Sequence, residues 1–391
     1  MSGTATKLTA AQQNAMARTN IFRMAKPILQ QVTTKTIAPV ASGDNVLQIN
    51  PLQIGFLRRF VVVVTATISN TDATHAAALT PNGADNILKN ITFNDFTGNP
   101  RHNCSGRSLS YVEALKYQRI PGAALASDSV SGFGSIVGSN VAPTIAAASS
   151  GTLTRVFEIP IMVDTGHFMA GGMWLGVNNQ STLLTLTINA NPIVLPGADP
   201  SQAVYQLAAG GTTIAAIPIT SATVTVYQDY WNNVPMDQSA NPILPISDIS
   251  TAYMITEASS GMTFAAGSVS SWNFPTFSKL LGTYLQYNNG GVLNPGTDLT
   301  GISLVVSNYS IIKQYSPQSL DRLVRDICGA SFPAGSYGLP SRMHPLDVSQ
   351  YPSLQLQVTA ATAAAGASML ITTELLRPVQ FMSAASGMGG A

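Results

Sequence analysis

The chain has 391 residues, long enough for two or three domains around a large buried core. Charged residues make up only 9 %, against about 25 % in an average soluble domain, while hydrophobic residues stand at 45 % and the net charge is +1. This balance excludes a disordered chain and leaves little colloidal repulsion; it suits a subunit that packs against copies of itself, and a secreted β protein with a Ser/Thr-rich surface would share it.

Residues 9–31 are rich in strong helix formers. They predict a helix with Thr9 as N-cap and Pro27 as its end or kink. Lys7, Arg18, Arg23, Lys26 and Lys35 make this region basic, and no acidic residue occurs before Asp44. Such an arm points to an anionic surface, either lipid headgroups or nucleic acid, or else to packing on a neighbouring subunit. The polar residues Gln12, Gln13 and Asn14 stand where the apolar region of a signal peptide would lie, so synthesis in a cytoplasm is expected.

From Val46 the text becomes β-like. Phe56 to Asn70 is almost all β-branched and reads as a long central strand, followed by a strand at Ile87 to Phe93. Ser108 to Gln118 carries helical spacing and stops before Pro121. Residues 121–152 read as a long surface loop, and strands resume at Thr154 to Met162, Thr182 to Asn189 and Ile219 to Tyr227.

Tyr227 to Ser250 packs Pro235, Pro242 and Pro245 among Asn and Ser, and so predicts a joint through which no strand runs. Strand text then returns at Thr251 to Ala258, Phe277 to Tyr287 and Ile302 to Tyr309. A helix follows at Ser316 to Ile327, with Pro317 in its first turn and Gly329 after it, then strands at Leu354 to Thr359 and Ser368 to Leu376. The expected division is an arm at 1–40, a first β domain at 41–235, the joint at 236–250, a second β domain at 251–382 and a flexible tail at 383–391. Two consecutive β sandwiches fit the spacing better than one barrel or a propeller.

Several stretches carry a family resemblance. LTAAQQNAM (8–16), GFLRRFVVVVTATISNTDATHAAALT (55–80), GADPSQAVYQLAAGG (197–211), TVTVYQDYWNNVP (223–235), PILPISDISTAYMI (242–255), NNGGVLNPGTDL (288–299) and FPAGSYGLP (332–340) resemble the major capsid proteins of the tectiviruses, the PRD1-like membrane-containing bacteriophages. The match is loose at 121–152, at 260–275 and after Arg342.

The resemblance implies an all-β double jelly roll, two eight-stranded sandwiches in one chain, with an N-terminal helix and one helix in each half. It implies a homotrimer shaped as a pseudo-hexagon that tiles an icosahedral shell over an internal membrane. The arm residues Lys7, Arg18, Phe22, Arg23 and Lys26 would face that membrane. The implied partners are neighbouring trimers, inner-membrane lipids and minor and vertex proteins, without sequence-specific nucleic acid. The implied location is the virion, with assembly in the host bacterial cytoplasm.

Such a protein needs no catalytic site, cofactor or metal, and the candidate residues agree. His75, His102, His167 and His344 lie in no metal-binding spacing and read as loop histidines on the surface. His102 with Cys104 has no second ligand pair nearby. Cys104 and Cys328 lack a CxxC context and read as free buried thiols. Of the four glutamates, Glu113, Glu158, Glu257 and Glu374, the pair Glu158 and Glu257, both in strand text, is the least implausible for a glycosidase; partly buried carboxylates held by Arg or backbone donors are the preferred reading. The alternative function is a secreted or surface carbohydrate-binding β sandwich, but Trp174, Trp231 and Trp272 form no aromatic cluster in the sequence.

Overall fold

A computed structural model describes residues 25–39, 43–96, 98–117, 140–163, 172–175, 181–234, 251–259, 262–276, 278–293, 297–307, 310–329, 331–341 and 345–378, with Thr9, Gln12 and Met16 as isolated positions. Eight principal strands build each half. In the first they are Lys26–Ile37, Asn45–Ile49, Phe56–Asn70, Leu88–Asn94, Pro100–Cys104, Ser149–Pro160, Leu183–Ile188 and Ile219–Asn232. In the second they are Thr251–Ser259, Val269–Asn273, Lys279–Asn288, Leu299–Val306, Ser310–Tyr315, Ser336–Pro340, Leu354–Ala360 and Ser368–Pro378. A helix follows the fifth strand in both: α1, Gly106–Tyr117, and α2, Pro317–Cys328. The fold is an all-β double jelly roll.

Both halves repeat one pairing order. The first, eighth, third and sixth strands form one sheet, and the second, seventh, fourth and fifth form the facing one. Phe56–Asn70 is central in its sheet, which explains its run of valines: Phe60, Val62 and Val64 are fully buried toward the facing sheet, where they meet Phe93 and Leu186. Leu285, Leu304, Leu356 and Ile371 form the equivalent core of the second half.

The two sandwiches share a wall. Pro100–Cys104 pairs in parallel with Thr251–Ser259, so the second sheet of the first half runs on into the first sheet of the second half. Helices α1 and α2 pack against each other where the halves meet.

Three expectations are corrected. Residues 26–31 do not continue a helix: Lys26–Ile37 is an edge strand antiparallel to Ile219–Asn232, because Lys26 to Gln31 find ladder partners from Asn232 to Tyr227. The strand that enters the joint runs on to Asn232, so the joint does not begin at Tyr227; residues 235–250 lie outside the described residues. Pro100–Cys104, which falls between the predicted strand and helix and holds His102, read as a loop histidine, is a strand, since it gains partners on both sides. Thr9 does cap a helix start, exchanging hydrogen bonds with Gln12, and Gln12 and Met16 are helical.

Candidate assembly surfaces

The seam between the sandwiches is built first by backbone and then by buried polar groups. His102 lies opposite Ile255, and Asn103 opposite Thr256. His102 is a buried strand residue, not a surface loop histidine. Its Nδ1 accepts the Ile255 N–H at 3.1 Å, and its ring lies between Phe93 and Tyr253. Burial holds its pKa down to about 3, so the imidazole stays neutral and keeps that acceptor available.

Two residues after this strand α1 begins. Ser105 caps it through the Ser108 N–H, and Gly106 lets it approach closely: a Cβ there would lie 2.3 Å from the Asp85 carbonyl oxygen. Ser105 and Ser108 then turn to the other half. Glu257 Oε2 accepts from Ser105 N at 2.9 Å and from the Ser105 and Ser108 hydroxyls at 2.5 Å. The Thr372 hydroxyl shares the Ser108 oxygen at 2.6 Å. Three donors on one carboxylate form a charge-assisted latch.

The latch continues through Arg107. Its guanidinium lies 3.9 Å from Glu257 and donates to the Ser201 carbonyl at 2.5 Å. Ser201 sits in a short turn capped by Asp199, and Asp199 accepts from Asn288 of the second half at 2.5 Å. The stretches 197–211 and 288–299 therefore meet across the seam. A pattern of Asp, Asn and Gly that has no generic reading within either half has a specific one between them.

Further buried charge surrounds the seam. Glu374, fully buried, accepts from Tyr253 at 2.7 Å and Tyr284 at 3.1 Å. Gly282 leaves room for this: a Cβ would sit 2.9 Å from the Tyr284 hydroxyl. In the first half Arg155 pairs with Asp85 at 2.6 Å. Glu113, on α1, accepts the Glu158 N–H at 2.8 Å, and burial pushes its pKa up to about 8. Glu158 itself pairs with Arg59 at 2.6 Å and lies 3.7 Å from Lys116. Glu158 and Glu257 thus serve separate networks, as carboxylates held by Arg and backbone donors. Among the described residues no three His, Cys, Asp or Glu side chains are grouped to hold a metal.

Of the arm residues, Lys26 opens the first edge strand and is exposed, while Lys7, Arg18, Phe22 and Arg23 lie outside the described residues, as do His167 and His344. Trp231 is buried, stacked on Phe56 under the Arg58 guanidinium, and Trp272 packs edge-on to Phe274. Trp174 is partly buried beside the Phe56 and Trp231 cluster.

The seam has two unmatched counterparts. Among the described residues, Lys26–Ile37 has a neighbour on one side only, as does Ser310–Tyr315, the fifth strand of the second half. Both strands are largely exposed, and Leu29 and Ile311 are large apolar side chains in the open.

Comparison with known proteins decides what this architecture is for. The profile described as P3 major capsid protein N-terminal matches residues 4–234, and that described as P3 major capsid protein C-terminal matches residues 250–386. The chain belongs to the P3 major capsid protein family. It is 30 % identical over 368 residues to the major capsid protein P3 of Enterobacteria phage PRD1, covering 92 % of this chain and 90 % of that protein. Among solved structures it resembles the STIV MCP, with a TM-score of 0.65 and 13 % identity over 92 % of this chain and 99 % of that one. It also resembles a chain in the atomic structure of Sulfolobus Turreted Icosahedral Virus, with a TM-score of 0.61 and 11 % identity over 90 % and 91 %. At these identities the structural likenesses speak for the fold alone. The P3 family is structural and is not an enzyme family, which places the chain in the virion as a capsid protein.

Proposed function

We propose that this capsid protein works as a homotrimer whose six jelly rolls form a pseudo-hexagonal capsomer, and that trimers tile an icosahedral shell over an internal membrane. The observation that carries the reading is the shared wall. One chain already joins two sandwiches side by side through a continuous nine-stranded sheet, and among the described residues it leaves Lys26–Ile37 and Ser310–Tyr315, edge strands of two other sheets, with a neighbour on one side only, so copies set head to tail would extend the same arrangement into a ring. The sparse charge of the chain fits a surface destined for contact with like surfaces.

In this reading the part of the 1–40 arm that precedes the edge strand Lys26–Ile37 carries Lys7, Arg18, Phe22 and Arg23 toward anionic headgroups, and Lys26 stands where the arm enters that strand. The joint is residues 236–250 and the tail 383–391. Minor and vertex proteins complete the shell, and assembly takes place in the host bacterial cytoplasm. Light scattering after size exclusion tests the trimer: a species of three chains is expected, and a monomer would remove the reading. Deleting residues 1–24 should leave that species intact and abolish its binding to anionic vesicles. Undiminished vesicle binding would end the lipid role.

A further inference from the structure

The chain contains two Asn-Gly steps, Asn82–Gly83 and Asn289–Gly290. Such a step carries its own reactive pair. The glycine amide nitrogen can attack the side-chain carbonyl carbon of the Asn, because a residue without a Cβ neither blocks the approach nor restricts the backbone. The two steps stand in opposite surroundings.

Asn82 and Gly83 are both buried, at the start of the short helical turn Gly83–Ile87. The Gly83 N–H is engaged, donating to the Thr80 hydroxyl at 3.1 Å. The Asn82 Oδ1 accepts from the Tyr111 hydroxyl at 2.5 Å. The nitrogen that would attack is occupied, and burial keeps away the water that would complete the reaction.

Asn289–Gly290 lies in the turn that follows Lys279–Asn288, and Gly290 is exposed. Gly290 has a φ of +66°. Among the described residues its N–H has no hydrogen-bond acceptor. The rest of Asn289 is held. Its own N–H donates to the Val292 carbonyl at 2.9 Å, its Nδ2 donates to the Thr362 hydroxyl at 3.2 Å, and its Oδ1 accepts the Ala364 N–H at 2.6 Å. The last contact bears on reactivity. A short N–H donor on Oδ1 draws charge from Cγ and is placed to hold the negative charge that forms on Oδ1 when Cγ is attacked. The residue that supplies it sits against Gly290, where an added Cβ would lie 2.8 Å from the Ala364 Cβ.

We infer that Asn289–Gly290 is a self-modification site, at which the chain deamidates through a cyclic imide, and that Asn82–Gly83 is protected from the same reaction. The Gly290 N–H gives its proton to solvent base and the nitrogen bonds to Cγ of Asn289. The Cγ–Nδ2 bond breaks, and Nδ2 leaves as ammonia with a proton taken from water. Water then opens the ring. Cleavage of the new N–Cγ bond gives aspartate. Cleavage of the bond to the main-chain carbonyl carbon gives isoaspartate, with the side-chain methylene now part of the main chain.

The product acts on the seam. Asn288, the preceding residue, donates to Asp199 of the first half at 2.5 Å and accepts the Gly291 N–H at 2.6 Å. Either product removes the donor to Thr362 and sets a negative charge across that hydroxyl from Asp298, which accepts from it at 2.6 Å. Like charges so placed repel. Isoaspartate also lengthens the turn between Asn288 and Gly291, which loosens the Asn288–Asp199 tie.

Peptide mapping by mass spectrometry tests the site. Purified full-length protein is held at physiological temperature in mildly alkaline buffer, folded and in urea. Conversion is read as the mass gained when NH2 becomes OH and as methyl transfer by an isoaspartyl methyltransferase. In the folded protein Asn289 should convert at least about tenfold faster than Asn82, since a buried step reacts only on opening. In urea the two should convert at similar rates. Asn289 unchanged in the folded protein while it converts in urea overturns the site, as does equal conversion of both steps in the folded protein. Hydrogen exchange reads the consequence. After conversion, amides around Asn288 should exchange faster than in fresh protein, whereas Asn289→Gln, whose longer side chain closes a ring far more slowly, should age without change. Exchange unaltered by conversion overturns the loosening of the seam.

Discussion

Helices α1 and α2 occupy the same place in the two halves and differ in almost every surface property. All but the end of α1 is buried, with Arg107 and Glu113 drawn into buried networks. Helix α2 buries Pro317, Leu320 and Val324 and turns Asp321, Arg322, Arg325 and Asp326 outward, where they pair one turn apart at 2.9 and 3.0 Å. Location within a jelly roll does not set these characters; what lies on the helix does. The second half covers α1, whereas Ser316 and Ser319 at the cap of α2 are exposed among the described residues. Buried charges on α1 must be matched one by one, while those on α2 are held in water and matter little.

Removing one member of a buried pair should separate the two helices most sharply. Asp85→Ala leaves Arg155 uncompensated beneath α1 and is expected to lower stability by about 3–5 kcal/mol in urea unfolding.

A pH titration of stability gives the next effect. The Glu113 pKa is raised from 4.5 to about 8, chiefly by burial and further by the Glu158 and Asp85 carboxylates, with Arg155 opposing. Its contribution is full below about 4.5 and is lost as pH rises through about 8, at up to about 1.4 kcal/mol per pH unit within that window. Glu113→Gln should flatten this dependence, and a slope that persists would assign it to other groups.

Glu257→Gln is smaller and sharpens the comparison directly, because it removes the charge that the Ser105 and Ser108 cap of α1 faces across the seam. The acceptor remains and the charge goes, so a loss of about 1–2 kcal/mol in chain stability is expected. On the exposed helix, Arg325→Ala should move stability by less than about 0.5 kcal/mol.

Much of this was legible in order along the chain. The α2 boundaries follow from Ser316, Pro317 and Gly329, all of which cap or end the helix as their chemistry requires. The valine run of Phe56–Asn70 announced a central strand. Pro100–Cys104 was hidden, because PRHNC has no strand pattern of its own and is extended only through its partners on both sides. Lys26–Gln31 failed for the opposite reason: its residues suit a helix, and the ladder to Tyr227–Asn232 overrides that preference. The specificity of 197–211 and 288–299 was visible as a pattern, while the Asp199–Asn288 contact that explains it was not.

By itself, then, the sequence determined two β halves, a helix in each, a neutral surface and the family resemblance, because periodicity, caps and composition are local properties. Only the tertiary structure decided that the halves share one sheet, that His102 is buried and that Glu257 faces Ser105 and Ser108. Each of those depends on residues about 150 positions apart, brought together by strand pairing.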